Sequence, residues 1–153
     1  MIRCLPQGFC SWDYVLRGDG RAATIEFNWT SEQGAILIDG TRFEVRKHGF
    51  LSGQWTLEHE GIAAASAQKS NPFTRTFEVR AAGDDFVLRA QSAMGRTFLV
   101  ERGERTVATI APEHPFTRRA RIECQSDECD FVTLCFLFWL AAITWRRAAQ
   151  SNS

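Results

Sequence analysis

At 153 residues the chain has the length of one domain and is large enough to bury a substantial core. Hydrophobic residues make up 44 % of it, with twelve Phe and five Trp, which excludes a disordered chain. Lys plus Arg and Asp plus Glu both number 18, and a formal net charge of zero gives no footing for a nucleic-acid partner, whose binding rests on excess positive charge.

The first ten residues, MIRCLPQGFC, contain no apolar run of signal-peptide length, so a cytoplasmic location is expected. The cysteines Cys4, Cys10, Cys124, Cys129 and Cys135 are odd in number and, without an export signal, read as reduced thiols. From residue 12 to 124 the dominant period is two. Trp12, Tyr14 and Leu16 alternate with Asp13 and Arg17, Val15 excepted, and Ile25, Phe27 and Trp29 alternate with Thr24, Glu26 and Asn28. Phe43 and Val45, then Trp55 and Leu57, follow the same rule. The segments 73–79, 86–90, 97–101, 106–111 and 118–124 continue it less cleanly. Alternation of this kind sets one face of each strand on a core and the other in water. Turn signals such as Gly18-Asp19-Gly20, Asp39-Gly40, Glu60-Gly61 and Gly103-Glu104 punctuate the strands at about 8 to 12 residues, the rhythm of an antiparallel meander. No linker, low-complexity tract or motif repeat beyond strand and turn is read from the chain.

The last element differs in kind. Residues 131–145, FVTLCFLFWLAAITW, carry no charge, with Asp127, Glu128 and Asp130 before them and Arg146 and Arg147 after. At 3.6 residues per turn no polar face remains, so this helix, expected over about 128–148, is the centre of a core or a membrane span. Fifteen residues at about 1.5 Å each reach roughly 22 Å, short of the roughly 30 Å of bilayer hydrocarbon. Acidic residues in the first turn and arginines in the last also suit a helix macrodipole better than the positive-inside tendency. The core reading is therefore preferred. Ten or so strands with one apolar face, and one helix apolar on every side, are satisfied together by a closed antiparallel β-barrel wrapped around a buried C-terminal helix. Eight strands enclose only side chains, so the barrel must have more, about twelve.

Several stretches carry a resemblance: Gly53-x-Trp55-x-Leu57, the strand pair KSNPFTRTFEV over 69–79, Gly95-Arg96-x-Phe98, and Asp130-Phe131 opening the helix. From about residue 43 to 147 the chain resembles the LURP-one-related and phospholipid scramblase branch of the tubby-like superfamily. That resemblance implies a barrel of about twelve strands on a hydrophobic helix, spanning 1–153 as a single domain. It also implies a non-enzymatic domain whose characterised relatives touch membrane lipids. The chain lacks the Pro-rich extension and dense cysteine cluster of scramblases, and no lipid-site residue is carried over.

Residue by residue, no catalytic signature stands out. His48, His59 and His114 lie on different segments and read as strand or loop side chains; the spacing from Cys124 to Cys129 to Cys135 is not that of a structural zinc site. The group Glu123, Asp127, Glu128, Asp130 has no EF-hand spacing and reads as helix N-terminal charge. Neither metal nor cofactor is expected. The remaining candidates are basic. Lys69 and Arg75 flank the Asn71-Pro72 turn, and Arg118 and Arg119 follow Pro112 and Pro115 in a loop. Loops carry binding groups, and arginine's planar fork suits phosphate. Arg75 and Arg96 share parity with neighbouring Phe residues, so each could instead point inward onto a carboxylate. The expected function is a non-enzymatic binding or scaffold module contacting anionic phospholipid headgroups through Lys69, Arg75, Arg118 and Arg119, peripheral at the membrane, or else a protein partner. The alternatives are a membrane-inserted lipid-handling protein anchored by 131–145 and a small enzyme with an unrecognised loop-borne site.

Overall fold

The computed structural model describes residues 1–49, 51–125 and 127–152. In chain order the strands are β1 (Ile2–Pro6), β2 (Tyr14–Gly18), β3 (Arg21–Phe27), β4 (Gly34–Ile38), β5 (Thr41–Lys47) and β6 (Gln54–His59). They continue with β7 (Ile62–Lys69), β8 (Thr76–Ala81), β9 (Asp84–Ala90), β10 (Phe98–Arg102), β11 (Arg105–Pro112) and β12 (Ala120–Cys124), and the chain closes with helix α1 (Phe131–Ser151). Each strand pairs antiparallel with its sequence neighbours, and β1 meets β12 to close the ring. The closed twelve-stranded barrel around one C-terminal helix is the architecture the sequence predicts.

Period-two burial makes the wall. Tyr14 and Leu16 on β2, Phe77 and Val79 on β8, and Phe98 and Val100 on β10 face inward, while Arg17, Glu44 and Arg80 lie outside. Two bulges break the alternation, between Leu57 and Glu58 opposite β7 and between Val100 and Glu101 opposite β11. The second brings the adjacent residues Val107 and Ala108 both into the core, as an extra residue in one strand of a pair allows. Three strands are not marked by the alternation in the sequence. β1 is short and ends at Pro6. β4 is the unbroken apolar run Ala35 to Ile38, whose period is hidden because half-buried Leu37 is apolar too. β7 is built largely of alanines, which give the alternation no amplitude, and its bulge shifts the phase.

The helix fills the barrel. Residues 133–146 are all buried, and aromatic contacts stitch the helix to the wall: Phe138 edge-on to Tyr14 at 4.9 Å and Trp139 stacked on Phe27 at 4.9 Å. By length and composition α1 could cross a bilayer, yet 83 % of its apolar window is covered by the barrel. It begins and ends three residues later than expected. Asp130 is its N-cap, accepting from the Thr133 amide at 2.8 Å, so Asp127 and Glu128 precede the helix instead of charging its first turn. Arg146 and Arg147 are followed by one more helical turn, whose residues 148–151 are exposed.

The two ends of the barrel are unlike. The connections after β2, β4, β6, β8 and β10 are two-residue turns. In four of them consecutive residues take positive φ, as at Asp39 (48°) and Gly40 (87°), the pairing of signs that matches strand twist in tight hairpins. The connections after β1, β3, β5, β7, β9 and β11 each run six or seven residues and gather at the other end. The helix enters at the turn rim and leaves at the loop rim.

Candidate functional site

The loop rim is built in layers. Lowest is a ring of inward aromatics near the strand ends, among them Tyr14, Phe27, Trp55, Phe77 and Phe98. Cations lie over these rings: Arg75 over Phe98 at 5.5 Å, Lys69 over Phe77 at 5.7 Å, Lys47 and Arg147 over Trp55 at 5.5 and 5.7 Å, and Arg146 over Phe27 at 5.6 Å. A cation over a ring face is held by the ring quadrupole.

Three arginines each latch one loop to the next. Arg75 donates to the carbonyls of Ser92, Ala93 and Gly95 at 3.2, 2.9 and 2.6 Å. Arg96 donates to Thr117, His114 and Pro115 at 2.7, 3.2 and 2.6 Å, and its own carbonyl accepts from Trp145 Nε1 at 3.0 Å. Arg118 donates to Ser11, Phe9 and Gly8. The helix repeats the device, Arg146 reaching the carbonyls of Asn28 and Ser31 at 2.8 and 2.7 Å. Arg75 and Arg96 thus meet carbonyls, where the sequence left a buried carboxylate open. A guanidinium with five donors in a fixed fork is the side chain able to span several carbonyls at once.

Of the four basic residues singled out in the sequence, the structure therefore separates two pairs. Arg75 and Arg118 are engaged in latches. Lys69 and Arg119 have no carboxylate or carbonyl bonded to the side chain among the described residues; Arg119 is exposed, and Lys69 is half-buried at the mouth of a cavity of about 390 Å3. Lys69 ends β7 and Arg75 closes the loop that follows it, whereas Arg118 and Arg119 lie two loops further round.

Above the cations, among the described residues, each loop lifts a large apolar side chain into solvent: Phe9, Trp29, Leu51, Phe73, Met94 and Phe116, between 78 and 100 % exposed. The strand pattern placed Trp29 and Phe73 on the inner face. Both instead lie beyond the strand ends, because β3 stops at Phe27 and β8 starts at Thr76. Single exposed apolar residues are ordinary on a protein surface, but six on one rim are not. The loop rim and the helix end hold Lys47, Lys69, Arg75, Arg96, Arg118, Arg119, Arg146 and Arg147 against three carboxylates. All three are engaged: Asp13 accepts from the Phe27 amide, Glu113 pairs with Arg3, and Glu32 takes Lys47 and Arg147. Acidic residues collect at the turn rim, Asp39, Asp84 and Glu128 pairing there with Arg21, Arg102 and Arg105.

Elsewhere the chemistry is quiet. His48 Nε2, just past β5, lies 2.6 Å from Thr56 Oγ1 on β6, whose hydroxyl donates to Glu58 at 2.6 Å. Among the described residues no three His, Cys, Asp or Glu are arranged to hold a metal. Cys4, Cys129 and Cys135 are buried, and burial pushes the Cys129 thiol up to about 12, far from nucleophilic use at neutral pH.

No family model matches the chain, and no curated protein or solved structure matches it. The signal for this rim nonetheless lies in the sequence, as a repeat carried by the loops. NPFTRTFEV (71–79), SAMGRTFLV (92–100) and HPFTRRARI (114–122) align loop on loop, with the apolar tip and the latch arginine in register. The turn glycines Gly20, Gly40, Gly61, Gly83 and Gly103 keep the same spacing of 20 to 22 residues.

Proposed function

We propose that the protein is a non-enzymatic binding module that docks peripherally, loop rim first, on cytoplasmic membranes containing anionic phospholipid. The observation that carries this reading is the crown of six exposed apolar tips standing over a collar in which cations outnumber carboxylates. A bilayer interface asks for that layering, apolar groups at the acyl boundary and cations at headgroup depth. The outer wall of the barrel is charged, so its strands have no lipid-facing band, and α1 is covered by the wall. The resemblance to the lipid-contacting tubby-like branch leans the same way.

Each apolar side chain fully removed from water contributes up to roughly 1.5 to 3 kcal/mol, and each cation near an anionic surface about 1 kcal/mol. Tips and charges together give reversible attachment that neither gives alone. Flotation with phosphatidylcholine vesicles, with and without phosphatidylserine, tests this. The chain should float with the anionic vesicles, and salt should weaken the association. Phe73→Ser with Phe116→Ser should reduce binding about tenfold or more while leaving the melting temperature unchanged, since both side chains are exposed. Equal recovery with neutral and anionic vesicles, or none with either, would overturn the membrane reading and leave a protein surface as the partner.

A further inference from the structure

The latches do not run all the way round. Counting two residues back from the first inward aromatic of β8 and of β10 gives Arg75 and Arg96; the same count from Trp55 on β6 gives Gly53. The loop between β5 and β6 therefore has no arginine with which to clasp the next loop. At that point the Lys69 N–H, at the end of β7, donates to the Gly53 carbonyl at 2.7 Å. The cavity of about 390 Å3 opens at this seam.

Three cations, Lys47, Lys69 and Arg147, line it, and each lies over a buried ring, Lys47 and Arg147 over Trp55 and Lys69 over Phe77. The single carboxylate beside them, Glu32, has both oxygens occupied, by Lys47 at 2.8 Å and by the Arg147 fork. Two positive charges are left over, and Lys69 holds one with no anion bonded to it among the described residues. Ser52, Ser70 and Asn71 stand at the same opening. Gly53 is what lets Lys69 sit there: a Cβ added to it would lie 2.9 Å from Lys69 Cβ.

We infer that this seam is a binding site for a phosphomonoester, with Lys69 as its principal ligand and Lys47 and Arg147 as supporting charges. The inference rests on the membrane-docking reading for its source of ligand and goes beyond it in naming the chemistry. A phosphomonoester carries a charge near −2 at neutral pH, which matches the surplus of the cavity, whereas the phosphodiester of phosphatidylserine does not. Burial and the neighbouring Arg147, Lys47 and Arg75 bring the Lys69 ammonium down to about 8, the condition of a cation short of an anion.

The test compares vesicles of phosphatidylcholine mixed with phosphatidylserine or with phosphatidic acid, matched in surface charge, for the full chain and for Lys69→Met. The wild type should bind the phosphatidic acid vesicles roughly tenfold more tightly, as one charge-assisted hydrogen bond allows. Lys69→Met should lose that preference while keeping phosphatidylserine binding within about twofold, since one cation of eight is removed. In a second arm without vesicles, glycerol 3-phosphate either raises the melting temperature of the wild type and not of Lys69→Met, which identifies a free phosphate ester as a sufficient ligand, or leaves both unchanged while the vesicle preference holds, which identifies the lipid. Gly53→Ala should act like Lys69→Met. Anionic vesicle binding with neither a phosphatidic acid preference nor a Lys69-dependent shift would overturn this site and spare the docking reading. Absence of anionic binding together with a Lys69-dependent shift would do the reverse.

Discussion

Lys69 lines the seam cavity, Glu32 is paired with the two cations beside it, and the two groups respond to pH in opposite senses. Burial acts to raise the Glu32 carboxyl, but hydrogen bonds from Arg147 and Lys47 hold it down at about 2, against an ordinary 4.5. Its stabilising share is complete above pH 4.5 and is lost as pH falls towards 2, because the unfolded chain takes up the proton first. Lys69 is the reverse case. Held at about 8 against an ordinary 10.5, it opposes folding while charged, and stability should rise as pH climbs from about 8 to 10.5. Calorimetry on Lys69→Met should therefore show a melting temperature about 2 to 4 °C higher at neutral pH, the size of shift that ~1 kcal/mol gives in a domain of this length. The rise above pH 8 should vanish in that variant. A lower melting temperature would mean that Lys69 is held by its stacking on Phe77 and carries no electrostatic strain.

At the scale of elements, α1 is the piece the wall cannot do without. A barrel of twelve strands has a lumen too wide for its own side chains, so Phe136, Phe138, Trp139 and Leu140 are the core as much as the strands are. A chain ending at residue 130 should lose cooperative thermal unfolding, and Trp139→Ala alone should cost about 3 to 5 kcal/mol in urea denaturation. A truncated chain that still melts in one sharp transition would separate wall from helix. The helix was legible in the sequence because fifteen uncharged residues leave no polar face, and closure followed because something had to surround it. β4 and β7 were not legible for a physical reason: alternation shows only where the outer residues are polar and the inner ones large, and Leu37 and the alanines of 63–67 violate one condition each. Of the site, Lys69 could be singled out from charge beside a turn. The latching of Arg75 and Arg118 could not, since carbonyl acceptors leave no mark in a sequence. The repeated Pro-Phe-Thr-Arg of 72–75 and 115–118 was the sign available, and it becomes meaningful only once the hairpin period is known.

Over the whole molecule, a chain of zero net charge is electrically two-ended. The loop rim bears the unanswered cations and the turn rim much of the acid, so an anionic surface both attracts and orients the barrel before any tip makes contact. Trp29 is exposed on the loop rim and Trp12 is half-buried there, while Trp55, Trp139 and Trp145 are buried. Quenchers placed at headgroup depth should therefore act chiefly on Trp29 emission in docked protein, and Trp29→Phe should remove most of the quenching. The parity of the strands has one more consequence. Twelve strands and one helix make thirteen passes between the rims, an odd number, so the N-terminal residue stands at the turn rim and residue 151 just past the loop rim. Anything joined after the helix is delivered into the gap between barrel and bilayer, while anything joined before Ile2 trails on the far side. The same fusion partner at the two ends should be tolerated at one and act as a wedge at the other.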